Sequence, residues 1–177
     1  MIGDFHLRGL LMGLAALVAQ FAAAPLAHAA PVAPDRNATA TVQIAPPASL
    51  RKLEDLNFAY LSVTTAGTAI VDPNTDSMTT TGGVIHAGGV PYAALFEAVS
   101  PVKAVVIIRI PRNPITVTRV GGTETMTVSN WTLSGNSKRT VAAQEAFSFK
   151  VGGTLTVNAN QVEGLYRGTF TVEVQYP

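Results

Sequence analysis

Cysteine is absent from this 177-residue chain. Its absence excludes a disulfide framework, a thiol nucleophile, cysteine metal sites and a lipid-modified N-terminal Cys. Charge is also scarce. Asp, Glu, Lys and Arg make up 13% of the residues, about half the roughly 25% of a typical soluble protein, so the solvated surface must rely on Thr, Ser, Asn and Gly. The net charge of +1 gives no concentrated basic footprint of the kind nucleic-acid binding needs. Histidine is limited to three residues, and two of them, His6 and His28, fall in the first thirty. Any chemistry of the remaining body must come from carboxylates, Lys, Arg, Ser, Thr, Tyr and His86 alone.

The first thirty residues read as a secretory signal peptide. Arg8 supplies a positive n-region, weakened by Asp4. Leu10 to Ala24 is apolar apart from Gln20, Pro25 ends the helix, and Ala27-His28-Ala29 gives the small-x-small cleavage pattern. Cleavage is expected after Ala29 or Ala30. The apolar run is shorter than the ~20 residues a spanning helix needs, so no stable membrane span is expected after cleavage. About 147 residues then remain, an ordinary single-domain size.

That remainder reads as strands. Thr and Val dominate it, and their branched Cβ favours a pleated strand over a helix. Phe147, Phe149 and Val151 alternate with Ser148 and Lys150, and Leu155 and Val157 continue the same face beyond Gly152-Gly153. Val105–Ile110 is an apolar run broken only by Arg109, as in a central strand covered on both faces. Asp72-Pro-Asn-Thr-Asp76 is a strong turn. Gly pairs at 82–83, 88–89, 121–122 and 152–153 can each supply a hairpin or a bulge. Arg119-Val-Gly-Gly-Thr echoes Lys150-Val-Gly-Gly-Thr, which recurring hairpin chemistry explains. Ala142–Ala146 has mild helical character but is too short to stand alone. Many short strands with regular turn signals predict an antiparallel sandwich.

The two ends carry the clearest pattern. Near the C-terminus, Tyr166, Gly168, Phe170, Val172, Val174 and Tyr176 share one face, with Arg167, Thr169, Thr171, Glu173 and Gln175 on the other. Eleven residues of unbroken period 2 predict one core strand, preceded by Gly164. At the other end Ala38, Ala40, Val42 and Ile44 alternate with Thr39, Thr41 and Gln43, followed by the stiff Pro46-Pro47 link. This arm suits either the first strand of its own domain or a donor strand added to a neighbour's sheet. The organisation expected is signal peptide 1–30, arm 31–47 and β-sandwich 48–177.

The mature chain resembles the bacterial domain of unknown function 4402 family. The likeness rests on Leu56-Asn-Phe58, Gly82-Gly-Val84, Phe147–Val157 with its Val151-Gly-Gly-Thr-Leu155, and Gly164-Leu-Tyr-Arg-Gly-Thr-Phe-Thr-Val-Glu-Val-Gln-Tyr176. The family implies a secreted β-sandwich of unassigned biochemistry; Phe58-Ala59 stands where it usually has Phe-Gly. More distantly, Gly164, the alternating last strand and the penultimate Tyr176 are similar to chaperone–usher pilus subunits and spore-coat-U-like proteins. That likeness implies an all-β, immunoglobulin-like subunit that polymerises by lending its N-terminal strand, with itself, related subunits or a periplasmic chaperone as partners. The missing Cys departs from the disulfide such subunits often carry.

Candidate chemistry is thin. His86 beside Gly88-Gly89 has no local partner for metal binding or nucleophile activation. Adjacent Glu54 and Asp55 point to opposite faces of a strand. Asp72 and Asp76 flank a turn that Asx capping explains without calcium. Arg109, Arg112 and Arg119 suit solvated sheet faces better than a basic patch, and Trp131 suits a core better than a sugar platform. Neither a catalytic residue, a metal site nor a cofactor is predicted. The expectation is a non-enzymatic structural or adhesive protein, secreted, periplasmic or at the cell surface, assembling by strand donation like a fimbrial subunit. The alternative is a monomeric binding module for a glycan or protein, which needs an exposed aromatic patch with Trp131 and Tyr92 as the residues available. An enzyme would need two acids facing each other across a cleft, about 5–10 Å apart.

Overall fold

A computed structural model describes residues 49–176. The expected leader, the strand bearing Ala38, Ala40, Val42 and Ile44, and the Pro46-Pro47 link lie outside the described residues. Within them the chain is all-β, with no helix. Its strands are β1 (Ser49–Glu54), β2 (Tyr60–Val71), β3 (Met78–Gly88), β4 (Ala94–Val99), β5 (Ala104–Arg109), β6 (Ile115–Arg119), β7 (Thr125–Leu133), β8 (Lys138–Val141), β9 (Ala146–Val157), β10 (Tyr166–Arg167) and β11 (Glu173–Gln175). All ladders are antiparallel. The larger sheet runs β1-β4-β9-β7-β6-β10, with β2 also paired to β9 and β3 paired to β2; β11-β5-β8 form the smaller sheet.

The long strand β9 organises the larger sheet. Phe149, Val151, Leu155 and Val157 are buried along one face, as the alternation predicts. On one side β9 pairs with β7. On the other it changes neighbour: Ala146–Val151 pair with β4, and Gly153–Val157 pair with the end of β2. The change falls at Gly152. A Cβ there would run into the Val71 carbonyl oxygen and lie 2.8 Å from Pro73 Cδ. The neighbouring Gly153 leaves room on the other face for the Trp131 ring, which would be 3.3 Å from a Cβ. The expectation of shared hairpin chemistry in the two Val-Gly-Gly-Thr segments is therefore corrected. Gly121, at φ 78°, turns β6 into β7, whereas Gly152-Gly153 lies within a strand where other groups approach closely.

The Asp72 turn joins β2 to β3. The Asp72 carboxylate accepts the Asn74 backbone N–H at 2.8 Å, and Asp76 N–H donates to the Asp72 carbonyl at 2.9 Å. Further along this pair, Gly82-Gly83 serves a bulge: Val63 pairs with Val84 and Gly67 with Gly82, so Thr64–Ala66 arch over Gly83. Apolar side chains collect in two clusters. Ala69, Val84, Met126, Val128, Leu155 and Val157 form one; Ala94, Phe96, Ile108, Phe149, Val151 and Val172 form the other. The second joins β4 and β9 to β5 of the smaller sheet, and Leu56 and Trp131 pack against both. The expectation that Val105–Ile110 is covered on both faces is corrected: β5 buries Val106 and Ile108 and leaves Val105 and Ile107 exposed.

The single C-terminal strand expected from the sequence is divided. Tyr166 and Arg167 pair with Arg119 and Thr118 of β6 in the larger sheet. Glu173–Gln175 pair with Ile107–Arg109 of β5 in the smaller one. Residues 168–172 belong to neither ladder. The alternation still sets burial: Val172 is buried, Tyr166, Phe170, Val174 and Tyr176 are half-buried, and Arg167, Thr169, Thr171, Glu173 and Gln175 are exposed. Periodicity specifies which face a residue shows, not which strand it pairs with.

Gly152→Ala is expected to destabilise the protein by at least the ~1–3 kcal/mol of an overpacked core, because the obstruction is backbone. Urea unfolding would show a lower midpoint with little change in slope.

Candidate functional site

The C-terminal crossing is where the sequence pattern and the structure concentrate most of their constraints. Gln161 Nε2 donates to the Tyr166 hydroxyl at 2.8 Å, and that hydroxyl donates to the Val162 carbonyl at 2.6 Å. The ring thus pins the corner that feeds β10. Gly164, the predicted start of the segment, takes φ 142° against the Arg119 stem. Gly168 sits where a Cβ would be 2.7 Å from the Thr116 carbonyl oxygen, so the chain hugs β6 before leaving it. Phe170 then enters an aromatic group, 4.6 Å from the Trp131 centroid and 6.3 Å from that of Phe96. Beyond β11 the Tyr176 hydroxyl donates to the Val99 carbonyl at 3.3 Å, and burial pushes this phenol's pKa up.

Charged groups engage one another locally. Arg51 donates twice to Glu97 Oε1, at 3.0 and 2.6 Å, and Lys52 pairs with Asp55. Lys150 of β9 pairs with Asp76, whose carboxylate also accepts the Ala93 N–H at 3.0 Å. Burial raises the Asp76 pKa, but Lys150 and the Ala93 N–H outweigh it and hold the carboxyl below its ordinary 3.8. Across the β6–β7 turn Arg119 Nε donates to Glu124 at 2.6 Å. That bond is the main reason Glu124 is lowered to about 2 and the Arg119 pKa is raised.

The predicted candidates do not converge. Exposed His86 lies with Nε2 3.1 Å and 3.2 Å from the carbonyls of Gly88 and Gly89. Asp55 is paired, and Asp72 caps its turn. Of the three arginines, Arg119 is held by Glu124, while Arg109 and Arg112 are exposed on β5 and the following loop. Among the described residues no three His, Asp or Glu side chains gather. Trp131 is half-buried against Phe170 and donates from Nε1 to the Asn113 carbonyl at 3.1 Å. Tyr92 is half-buried beside Asn57; Tyr60 is the aromatic left 73% exposed. A shallow depression opens between Pro111–Ile115 and Thr169–Thr171.

Sequence reasoning missed Arg139. From β8 it donates to the carbonyls of Asn136 at 2.7 Å, Ser148 at 3.2 Å and Ser134, with its guanidinium 6.0 Å from the Phe149 centroid. It therefore ties the smaller sheet to β9 through backbone oxygens, and burial lowers its pKa. Its only sequence signal is a cation four residues after Gly135, which takes φ 68°.

The family model described as "Domain of unknown function (DUF4402)" matches residues 48–176, so the chain belongs to that family. No curated protein and no solved structure matches it.

Acid should weaken this fold in a defined window. Glu124 has an ordinary pKa of 4.5 and a folded value of about 2. Above 4.5 both states are ionised and the pair contributes fully. As pH falls, the unfolded chain takes up the proton first, so the contribution fades and is gone near pH 2. Melting temperature is expected to fall more steeply through this window in the wild type than in Glu124→Gln. Separately, Phe170→Ala should lose stability toward the lower end of the ~3–5 kcal/mol of a core Phe truncation, and red-shift Trp131 emission by letting water reach the indole.

Proposed function

We propose that the protein is an exported, non-enzymatic structural or adhesive surface subunit, built as an immunoglobulin-like sandwich and assembling through strand donation by residues 37–44. The observation that carries this reading is the terminal segment: residues 168–172 run outside both ladders, and β10 and β11 are only two and three residues long. The backbone, more than any side-chain cluster, is what such a surface offers a partner.

Three features support the sandwich. Ile108 of the smaller sheet packs in one cluster with Phe96 and Phe149 of the larger. One terminal segment serves both sheets. The Tyr166 hydroxyl reaches back four residues to a carbonyl, as the tyrosine corner of such folds does. The donor is chemically suited as well: Ala38, Ala40, Val42 and Ile44 alternate with uncharged polar residues, so side chains on one face can fill pockets while the main chain forms a ladder. A monomeric binding module has less support, because Trp131 and Tyr92 are half-buried.

The exported protein, run in SDS without boiling, is expected to give a ladder of oligomers that collapses to monomer on boiling. Val42→Lys/Ile44→Lys should abolish the ladder while leaving the far-ultraviolet circular dichroism spectrum unchanged. A wild-type monomer with residues 37–44 paired inside its own sheet overturns the proposal.

A further inference from the structure

Five strands have a sheet edge that no other described strand covers: β1, β3, β8, β10 and β11. Natural proteins protect such edges with charge, proline, bulges or brevity. Four of the five follow that rule. β1 carries Arg51, Lys52 and Glu54; β8 carries Lys138 and Arg139; β10 and β11 carry Arg167 and Glu173 and are very short. The exception is β3, Met-Thr-Thr-Thr-Gly-Gly-Val-Ile-His-Ala-Gly, the longest of the five at 11 residues. It contains no Asp, Glu, Lys, Arg or Pro. One bulge adds its extra residues to β2, at Thr64–Ala66; a second leaves Ala87 as an extra residue on β3, at the strand's C-terminal end, and of the protective devices this is the one β3 has.

The side chains around this edge are also unusual for a solvated surface. Ile85 on β3 is 57% exposed, and Tyr60 and Val90, next to its C-terminal end, are 73% and 74% exposed. Thr79 and Thr81 are exposed on the same strand, and the Thr81 hydroxyl lies 2.6 Å from that of Thr68 on β2. Thr and Ile suit the face of a pleated sheet, and cross-strand Thr pairs are favourable.

We propose that β3 is a self-association edge: two copies of the protein pair β3 to β3, antiparallel about a twofold axis, and join their larger sheets into one. A second copy fits this edge better than a partner of different chemistry. The strand offers no charge for a complementary partner to read, and two identical uncharged edges meet without like-charge contact. Antiparallel pairing of one strand with itself is self-complementary, as a twofold interface requires. On this geometry Ile85, Tyr60 and Val90 of each copy lie near the joint and lose water when it forms. Self-pairing at β3 does not use residues 37–44 and stands apart from strand donation.

Sedimentation velocity over a wide micromolar range tests it in the mature Val42→Lys/Ile44→Lys protein, where strand donation is removed. This protein is expected to show a reversible, concentration-dependent dimer. Adding Thr79→Lys/Ile85→Lys, both at exposed positions, should leave it monomeric throughout with an unchanged circular dichroism spectrum. Adding Leu50→Lys/Leu53→Lys on the β1 edge should leave the dimer intact, and a chain lacking residues 31–47 should dimerise too. Hydrogen exchange on the unmodified protein gives a reading that does not depend on any variant folding: alternate β3 amides should gain protection as concentration rises. A Val42→Lys/Ile44→Lys protein that is monomeric throughout overturns the proposal, as does a dimer that survives the β3 lysines or disappears with residues 31–47. Loss of the SDS-resistant ladder with the β3 dimer intact would count against strand donation alone.

Discussion

One backbone contact constrains this fold more than any side chain: the approach of the end of β2 to β9 at Gly152. On the side of β9 away from β7, β4 occupies the first half and β2 the second. Two strands can share one flank of a third only if their ends meet somewhere along it, and here the Val71 carbonyl and Pro73 fill the space where a side chain at 152 would stand. With that junction in place, the two halves of β9 contribute to different clusters. Phe149 and Val151 pack with Phe96 and Ile108, while Leu155 and Val157 pack with Val84 and Met126. Leu56 and Trp131 pack against both clusters and fasten one to the other.

The C-terminal segment closes the same arrangement from its far end. It reaches β6 of the larger sheet as β10 and β5 of the smaller as β11. Between them Phe170 meets the rings of Trp131 and Phe96, and Val172 is buried in the cluster that unites β4, β5 and β9. Arg139 makes a polar link between the sheets at another point. Both links end on backbone carbonyls or apolar rings rather than on opposite charges, in keeping with a chain of which only 13% is charged.

The sequence made faces legible and left partners hidden. The burial of Phe149, Val151, Leu155 and Val157 follows from spacing alone, because a period of two fixes which side of a pleat a residue occupies. The Asp72 turn was equally legible, since its Asx bond is local. Pairing is a long-range property, and the division of Tyr166–Tyr176 between two sheets depends on β6 and β5, which lie more than forty residues earlier. The echo of Val-Gly-Gly-Thr misled for a related reason: glycine serves both left-handed turns and close approaches, and composition does not separate them. Arg139 was invisible because its acceptors are main-chain oxygens, which every sequence has. For the site, spacing gave the face on which Phe170, Val172, Val174 and Tyr176 lie, but not the aromatic neighbours that Phe170 meets.

Low charge carries a consequence for the surface. A β protein with few Lys and Glu has little with which to guard its edges, and how it distributes them shows which edges are shielded. Here Arg51, Lys52 and Glu54 stand on β1, Lys138 and Arg139 on β8, Arg167 on β10 and Glu173 on β11, while β3 receives none. Were surface charge withheld only because the chain is poor in it, the longest edge would not be the one left bare. Uncharged Thr keeps that edge wettable, and leaves its unpaired amides and carbonyls free to meet another strand without the cost of burying an ion. The same economy describes residues 37–44, which alternate small or apolar residues with Thr and Gln. Both stretches have the composition of a strand that can be solvated when alone and paired when it finds an edge.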